Sequence, residues 1–407
     1  MSDSLGSLLA VAAVAAAAPI LAALLPGDVP QVVLLIVGGI VIGPQALHIA
    51  DATGIELFAN LGLGFLFLLA GYELDPHLLR EREGSLAIVA WVIAVVLAMG
   101  TVAVLESVGF VETFVPVSIG LTTTALGTLL PILRERGMLE GRFGRYVFAA
   151  GAVGEMGPVL AIAIFLGVYS SVIEVVGIAV VAGAAFALSV LPRYVQGTAF
   201  GRVVEEGQED TAQTTLRLTV VLLVALLFLS EQFGLDAVLG AFFAGMVLRR
   251  WHPGDVMSLD RKLDAVGYGF FIPVFFVSSG MNLDIASIAE EPLRLLVFFG
   301  LLLLVRGVPA LFVYRTELVW VRRVQLMLLT ATALPLLVAL AEIAARNGSM
   351  YPENAAALVG AGVLSVAVFP LIAVGLQPLA SRAETDAVAD QSPGSVSGSR
   401  RRRMRGG

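Results

Sequence analysis

Two ionisable residues, Glu155 and Arg306, lie deep inside long apolar stretches of this sequence. If each stretch is a helix that crosses a bilayer, Glu155 lies about 14 Å from one end of its helix, and Arg306 lies about 18 Å in from the opposite face. Both would then be near the middle of a hydrocarbon core roughly 30 Å thick. A charge at that depth costs about 3 kcal/mol, so each residue is a candidate functional residue.

The chemistry open to Glu155 is that of a carboxylate removed from water. Desolvation disfavours the charged form, so a proton and a small cation would compete for the same two oxygens. Arg306 keeps its charge at any accessible pH. We therefore predict that Glu155 binds a monovalent cation or a proton, and that Arg306 is its electrostatic partner. The alternative is that the two residues form a structural ion pair between helices.

Threonines are concentrated in another apolar stretch, at Thr122, Thr123 and Thr124. We predict that their hydroxyls bind the ion together with Glu155, because hydroxyl and freed carbonyl oxygens suit an alkali cation. Matched helix interruptions in two halves of a chain indicate a transporter site. The broken-helix candidates are Gly127, Pro131, Thr330, Thr332 and Pro335. The alternative is that the threonines only satisfy freed backbone groups at ordinary kinks.

The composition indicates the kind of fold that must position these residues. Apolar residues make up 58% of the 407 residues and charged residues 14%, against roughly 25% charged in soluble proteins. This balance predicts an all-α polytopic membrane protein, and the net charge of −7 argues against nucleic-acid binding. Cysteine is absent, which excludes disulfides and thiolate metal sites. No Ser/His pair, paired aspartate or His-rich metal spacing lies at membrane depth, so we expect neither an enzyme nor a cofactor.

Thirteen stretches are long and apolar enough to be read as spans. They lie near 5–25, 29–48, 55–73, 85–108, 111–133, 146–169, 172–192, 216–233, 236–250, 266–282, 294–314, 325–345 and 355–380. If there are thirteen spans, all Lys and Arg residues lie on one side of the membrane except Arg294, Arg306 and Arg346. The positive-inside rule then predicts a cell-membrane protein with its N-terminus outside and its C-terminus cytoplasmic. The polar segment 381–407 is predicted to be a disordered, Arg-rich cytoplasmic tail that can touch membrane lipid.

The sequence also contains an internal repeat. The segment 71–75 (GYELD) recurs at 280–284 (GMNLD), and 122–126 (TTTAL) recurs at 330–334 (TATAL). Because the second copy begins after an odd number of spans, it enters the membrane from the opposite side. We therefore predict two inverted six-helix repeats, at about 5–170 and 214–380, joined by a linker helix at 172–192 and forming one transmembrane domain, 1–380. The alternative is chance similarity between apolar helices.

Five further segments carry a family resemblance over about residues 5–380. They read GIVIGP at 39–44, GYELDP at 71–76, LLPILRERG at 129–137, LGAFFAG at 239–245 and FFVSSGM at 275–281. In this order they resemble the monovalent cation:proton antiporter-2 family of sodium/proton and potassium/proton exchangers. The resemblance implies a dimerisation domain, a core ion-transport domain with two broken crossing helices, elevator-like alternating access and a homodimer.

The resemblance also indicates whether exchange would move net charge across the membrane. Similar proteins have an Asn-Asp or Asp-Asp pair where this chain has Gly154-Glu155. They carry Lys on the partner helix when electrogenic and Arg when electroneutral, and Arg306 matches the Arg form. The resemblance thus implies electroneutral exchange of Na⁺, Li⁺ or K⁺ for protons. The competing hypothesis is a transport-inactive relative that acts as a membrane scaffold or sensor.

Overall fold

The computed structural model describes residues 2–25, 29–73, 81–111, 113–165, 171–195, 214–233, 237–251, 257–346 and 348–391, and all secondary structure in these ranges is helical. The N-terminal half contains α1 (Ser2–Leu24), α2 (Gln31–Ile42), a 3₁₀ turn (Ala52–Gly54), α3 (Glu56–Glu73), α4 (Arg82–Ser107), α5 (Phe114–Gly120), α6 (Leu126–Glu135), α7 (Gly141–Phe165) and α8 (Ser171–Val195). The C-terminal half contains α9 (Thr214–Gln232), α10 (Ala237–Trp251), α11 (Met257–Val266), a π-helical turn (Gly267–Phe271), α12 (Ile272–Asn282), α13 (Ile285–Glu290), α14 (Pro292–Leu301), a second π-helical turn (Leu302–Gly307), α15 (Val308–Val313), α16 (Trp320–Ala331), α17 (Pro335–Arg346), α18 (Pro352–Gly375) and α19 (Gln377–Gln391).

Within the described ranges, seven helical segments are long and apolar enough to cross a membrane. They are Ser4–Leu24, Arg82–Ser107, Thr215–Gln232, Arg261–Asn282, Pro292–Val313, Trp320–Arg346 and Pro352–Gly375. Every predicted span overlaps a described helix or helix pair. The all-α polytopic class is therefore confirmed, while the count of thirteen spans stays a prediction.

Helix α4 illustrates why these helices need lipid around them. Its buried stripe consists of small residues spaced three or four apart, Ala87, Ala90, Ala94 and Ala98. Small residues let neighbouring helices approach closely, as is usual between helices in membranes. The opposite face exposes large apolar side chains, including Ile88, Val92 and Val96. An exposed apolar face on one helix and a close-packed small-residue face behind it fit a bilayer as the solvent.

Glycines determine how two helix pairs pack. In α2–α12 and in α3–α10, each helix contributes one glycine whose Cα lies against a backbone carbonyl of the other, with no room for a methyl group. The four contacts are Gly39 with Val277, Gly280 with Ile36, Gly71 with Phe242 and Gly245 with Leu68. Glycine is required at these positions by the close approach of two backbones.

Two helices are broken in the middle. The first break, 121–125, separates α5 from α6, and the second, 332–334, separates α16 from α17. Of the broken-helix candidates, Thr332 lies in the second break and Pro335 directly follows it, whereas Gly127 and Pro131 lie inside α6. Pro335 begins α17, where its missing N–H leaves no hydrogen bond unmade.

The C-terminal segment differs from its prediction. Residues 381–391, predicted to be disordered, continue helix α19 to Gln391. The helix is held by Arg322 of α16, which forms a two-pronged ion pair with Glu384 at 2.9 Å for each prong. A bidentate pair of this kind fixes both distance and orientation. The remainder of the predicted tail, 392–407, lies outside the described residues.

Candidate functional site

The two helix breaks meet and are joined by hydrogen bonds. The Ala125 N–H donates to the Thr332 carbonyl at 2.8 Å, and the Thr124 hydroxyl donates to the Thr330 carbonyl at 2.7 Å. Four helix ends therefore converge at this crossing: the C-termini of α5 and α16, and the N-termini of α6 and α17. The carbonyl ends carry partial negative charge and the N–H ends partial positive charge, so the crossing is polar although it is buried.

Ser365 of α18 holds the second break in place. Its side chain is fully buried, and its hydroxyl accepts a hydrogen bond from the Ala333 N–H at 3.0 Å while lying 2.7 Å from the Gly362 carbonyl. A backbone N–H in a broken helix would otherwise be unsatisfied in an apolar interior. Sequence analysis missed Ser365, although a single serine within an apolar span is a signal that could have been used.

Arg306 belongs to the same polar centre. It lies in the π-helical turn between α14 and α15 and is only 1% exposed. Its Nε donates to the Thr124 hydroxyl at 3.0 Å, and its Nη2 donates to the Ala150 carbonyl of α7 at 2.8 Å. The guanidinium therefore joins the first broken helix to the backbone of α7. Its positive charge lies beside Thr124, in the break between α5 and α6.

Gly154 makes room for this arrangement. The Thr124 N–H donates to the Gly154 carbonyl at 3.0 Å, so α7 is in direct contact with the broken helix. A Cβ at Gly154 would lie 2.5 Å from Nη2 of Arg306 and 2.8 Å from Cβ of Thr124. Neither atom can move without giving up a hydrogen bond. The guanidinium thus occupies the space into which a side chain at Gly154 would point.

Glu155, the next residue of α7, is partly exposed and lines an open cavity of about 570 Å³. Other residues of the cavity wall come from both broken helices and from the first π-helical turn: Gly127, Thr128, Tyr268 and Pro335. We call this space the Glu155 cavity. It brings a carboxylate, a hydroxyl and a phenol to the edge of the crossing, and these are oxygen donors of the kind that alkali cations prefer.

The predicted threonines lie behind this cavity. Thr122 and Thr123 donate to carbonyls of α5, those of Ile119 at 2.8 Å and Gly120 at 2.9 Å. In the second broken helix, Thr330 and Thr332 donate to carbonyls of α16, at 2.9 Å and 3.0 Å. These hydroxyls satisfy backbone groups at the helix ends, which is the alternative interpretation of the threonine pattern.

Thr128 and Tyr268, which bring hydroxyl groups to the cavity wall, were not predicted as site residues. Thr128 belongs to the same apolar stretch as the predicted threonines, so its polar side chain was a usable signal. Tyr268 lies in a π-helical turn, a feature often found at functional sites but not readable from residue spacing.

A second charged centre lies at the ends of α4 and α7. The Glu317 carboxylate, whose side chain is 4% exposed, forms ion pairs with Arg82 and Arg142 and accepts a hydrogen bond from the Tyr146 hydroxyl at 2.9 Å. This hydrogen bond and the two guanidinium groups lower the pKa of Glu317 below its ordinary value. The cluster ties the loop before α16 to the first turns of two helices and lies apart from the Glu155 cavity.

Comparison with known proteins places the chain in a family. Residues 9–376 match the family model described as "Sodium/hydrogen exchanger, transmembrane". A putative Na(+)/H(+) antiporter of Bacillus subtilis is 28% identical over 327 residues, 74% of this chain and 51% of that protein. The glutathione-regulated potassium-efflux system protein of Enterobacter sp. is 26% identical over 368 residues, 88% of this chain and 58% of that protein. The chain thus spans little more than half the length of these curated relatives.

Solved structures show the same fold. A sodium proton antiporter from Methanocaldococcus jannaschii, solved at pH 8, aligns with a TM-score of 0.57 and 18% identity over 94% of this chain and 96% of that one. At this identity the likeness concerns the fold alone. Because the family model matches most of the chain, this protein belongs to the sodium/hydrogen exchanger family of transmembrane proteins.

Proposed function

We propose that this protein is a secondary active antiporter that exchanges a monovalent cation, Na⁺, Li⁺ or K⁺, for protons. The observation that carries the proposal is that Glu155 lines an open cavity of about 570 Å³ beside the crossing of two broken helices. Family membership and the relatives named as cation/proton antiporters support it. The transported cation and proton are the ligands, and no resident cofactor is needed.

In this proposal Glu155 is the shared binding group. A protonated Glu155 and a cation-bound Glu155 are both neutral overall, and Arg306 adds the same single positive charge to each loaded state. The site therefore carries equal charge in both directions, which makes one-for-one exchange electroneutral. The hydroxyl of Thr128 and the phenol of Tyr268 are candidate co-ligands, because they line the same cavity. Thr122, Thr123 and Thr124 contribute by shaping the crossing.

Arg306 has a positioning role in this mechanism. Its bonds to Thr124 and to the Ala150 carbonyl keep a fixed cation at the crossing, near the carbonyl ends of the broken helices that we propose it offsets. It offsets their partial negative charge, so that the cation-binding charge is concentrated on Glu155. In the proposal, the Glu155 carboxylate then supplies the negative charge that binds either ion.

Alternating access through two inverted repeats is the transport mechanism that we propose. The two glycine-packed helix pairs support it, because Gly39 and Gly71 occupy the same places in the first repeat as Gly245 and Gly280 do in the second. The matched breaks between α5 and α6 and between α16 and α17 support it as well. We further propose an elevator-like movement within a homodimer embedded in lipid.

The distribution of basic residues supports an N-terminus outside and a C-terminus in the cytoplasm of a cell-membrane protein. In this orientation the Glu155 cavity opens towards the cytoplasm, since its wall includes Leu25 at the end of α1 and Gln31 at the start of α2. The conformation would then be inward-facing.

Ion flux in proteoliposomes tests the proposal. With an imposed pH gradient, the wild type is expected to couple Na⁺, Li⁺ or K⁺ movement to proton movement, and Glu155→Gln to abolish that coupling. Glu231→Gln, which neutralises an exposed carboxylate at the end of α9, is the matched control and should exchange normally. Normal exchange by Glu155→Gln would contradict the proposal.

A transport-inactive membrane scaffold or sensor is the second candidate function. The specific observation in its favour is that Arg306 is tied to the first broken helix and to α7 across the side-chain-free Gly154. If the wild type exchanges none of the three cations although it is folded, the scaffold or sensor function replaces the antiporter.

A further inference from the structure

A second cavity, of about 420 Å³, lies towards the C-terminal end of α17, the second half of a broken helix. Its wall comes from α3, α12, α17 and α18 and includes Ser279, Val338, Glu342 and Arg346. We call it the Glu342 cavity. In the proposed orientation it faces the outside, opposite the Glu155 cavity.

Helix α17 separates the two cavities. Pro335, its first residue, lines the Glu155 cavity, whereas Val338 and Glu342 line the Glu342 cavity. The rise from Pro335 to Glu342 is only about 10 Å along the helix. Val338 is 2% exposed, so the deep end of the Glu342 cavity is closed by packed side chains. A small displacement of α17 relative to α3 and α12 would change which cavity reaches the crossing.

Polar contacts hold α17 against α3 and α12 at this point. The Ser279 hydroxyl of α12 donates to the Glu342 carboxylate at 3.2 Å, and Arg346 donates to the Asn60 side-chain oxygen of α3 at 3.1 Å. Glu342 and Arg346 also form an ion pair with each other at 2.6 Å, one turn apart on α17. Elsewhere α17 packs chiefly on α18 and α5, with few contacts to α12.

We propose that Asn60, Ser279, Glu342 and Arg346 form a lock that keeps the Glu342 cavity closed towards the crossing while the Glu155 cavity is open. The lock is suited to repeated opening. Its two bonds between helices are partly exposed and therefore weak. Since the Glu342–Arg346 pair lies within α17, it moves with that helix, and neither charge is left unpaired when the lock opens.

The absence of cysteine from the natural sequence permits a direct test. A single cysteine is placed in each cavity wall, as Val338→Cys or Ala70→Cys, and its labelling by a polar maleimide is timed in lipid nanodiscs, where both faces are accessible. Ala70 of α3 lines the Glu155 cavity. Each probe is combined with Ser279→Ala or Asn60→Ala, each of which removes one of the two bonds between helices. The control is Glu353→Gln, which neutralises an exposed carboxylate in the first turn of α18.

Opening the lock should change the two labelling rates in opposite directions. We expect roughly threefold faster labelling of Val338→Cys in both lock variants, from the strength of partly exposed polar pairs. Labelling of Ala70→Cys should slow by a smaller factor, because the state with the open Glu155 cavity is the more populated one. Neither rate should change with Glu353→Gln. Unchanged rates, or a rise at both probes as in general loosening, would overturn the proposal.

The role of the lock in ion exchange rests on the proposed function, but its existence does not. Labelling needs no transported ion, so it can succeed while the flux assay of Glu155→Gln fails, and the reverse. The Asn60→Ala variant removes an exposed side chain and leaves the ion pair of α17 in place. A result therefore remains interpretable even if Ser279→Ala lowers expression.

Discussion

Replacing Gly154 by alanine adds one methyl group at the most crowded point of the crossing. The new Cβ would lie 2.5 Å from Nη2 of Arg306 and 2.8 Å from Cβ of Thr124. Both distances are far below van der Waals contact. Arg306 is fully enclosed, so the guanidinium can retreat only by giving up its bonds to Thr124 or to the Ala150 carbonyl.

The expected cost follows from these two effects. A hydrogen bond made by a charged group contributes about 1.5–3 kcal/mol, and overpacking a tight interior costs about 1–3 kcal/mol. Moving the guanidinium away relieves the overpacking but breaks a hydrogen bond, so the two costs do not add in full. We expect a net loss of about 3 kcal/mol in the free energy of unfolding. The exchange rate should fall as well, since the displaced guanidinium no longer offsets the carbonyl ends of the broken helices.

Thermal unfolding of the purified protein in nanodiscs measures this loss. The matched control is Gly100→Ala in α4, where a Cβ meets no atom within 4 Å. Alanine at an open helical position stabilises a protein by about 0.4–1 kcal/mol. The same chemical change should therefore lower the unfolding temperature at Gly154 and leave it equal or higher at Gly100. Gly154→Ala as stable as Gly100→Ala would refute the assigned role of the guanidinium.

Two further predictions concern polar groups that hold helices in place. Ser365→Ala leaves the Ala333 N–H without its partner, so we expect a loss of about 1–3 kcal/mol in the free energy of unfolding and slower exchange. The control, Ser381→Ala on the exposed side of α19, should change stability by less than about 0.5 kcal/mol. Equal unfolding temperatures for the two variants would contradict the role of Ser365. The lowered pKa of Glu317 stabilises the folded protein above the ordinary carboxyl value of about 4.3, and this contribution is lost as the pH falls through the lower folded-state pKa. The difference in unfolding temperature between the wild type and Glu317→Gln should therefore be largest near neutral pH and shrink in acid, and a difference independent of pH would show that the carboxylate charge is not the stabilising feature.

The sequence predicted the class of fold and named several residues that the structure brings to one cavity. Long apolar stretches define membrane helices, and a glutamate within one of them is costly enough to be noticed without a structure. The paired threonine segments predicted two broken helices, because polar residues and proline in matched positions of two apolar stretches indicate helix interruptions. Glu155, Gly127 and Pro335 do line one cavity.

The partners of these residues could not be predicted in the same way. The sequence suggested Glu155 as the electrostatic counterpart of Arg306, but it gave no sign that the guanidinium donates hydrogen bonds to Thr124 and to a backbone carbonyl. Carbonyl groups carry no signal in the sequence, and the π-helical turn that positions Arg306 has no residue pattern of its own. The first break ends before Gly127 and Pro131 because the carbonyl of Thr332 satisfies the Ala125 N–H, a contact between distant parts of the chain.

Proton release on cation binding tests the central claim most directly. Purified protein in a weakly buffered solution is titrated with Na⁺, Li⁺ or K⁺ while a dye follows the pH. If one carboxylate is shared by both ions, cation binding to the wild type should release protons, with weaker cation binding at lower pH, and Glu155→Gln should release none. Cation binding without proton release, or equal release by Glu155→Gln, would contradict the assignment of Glu155 as the exchange site.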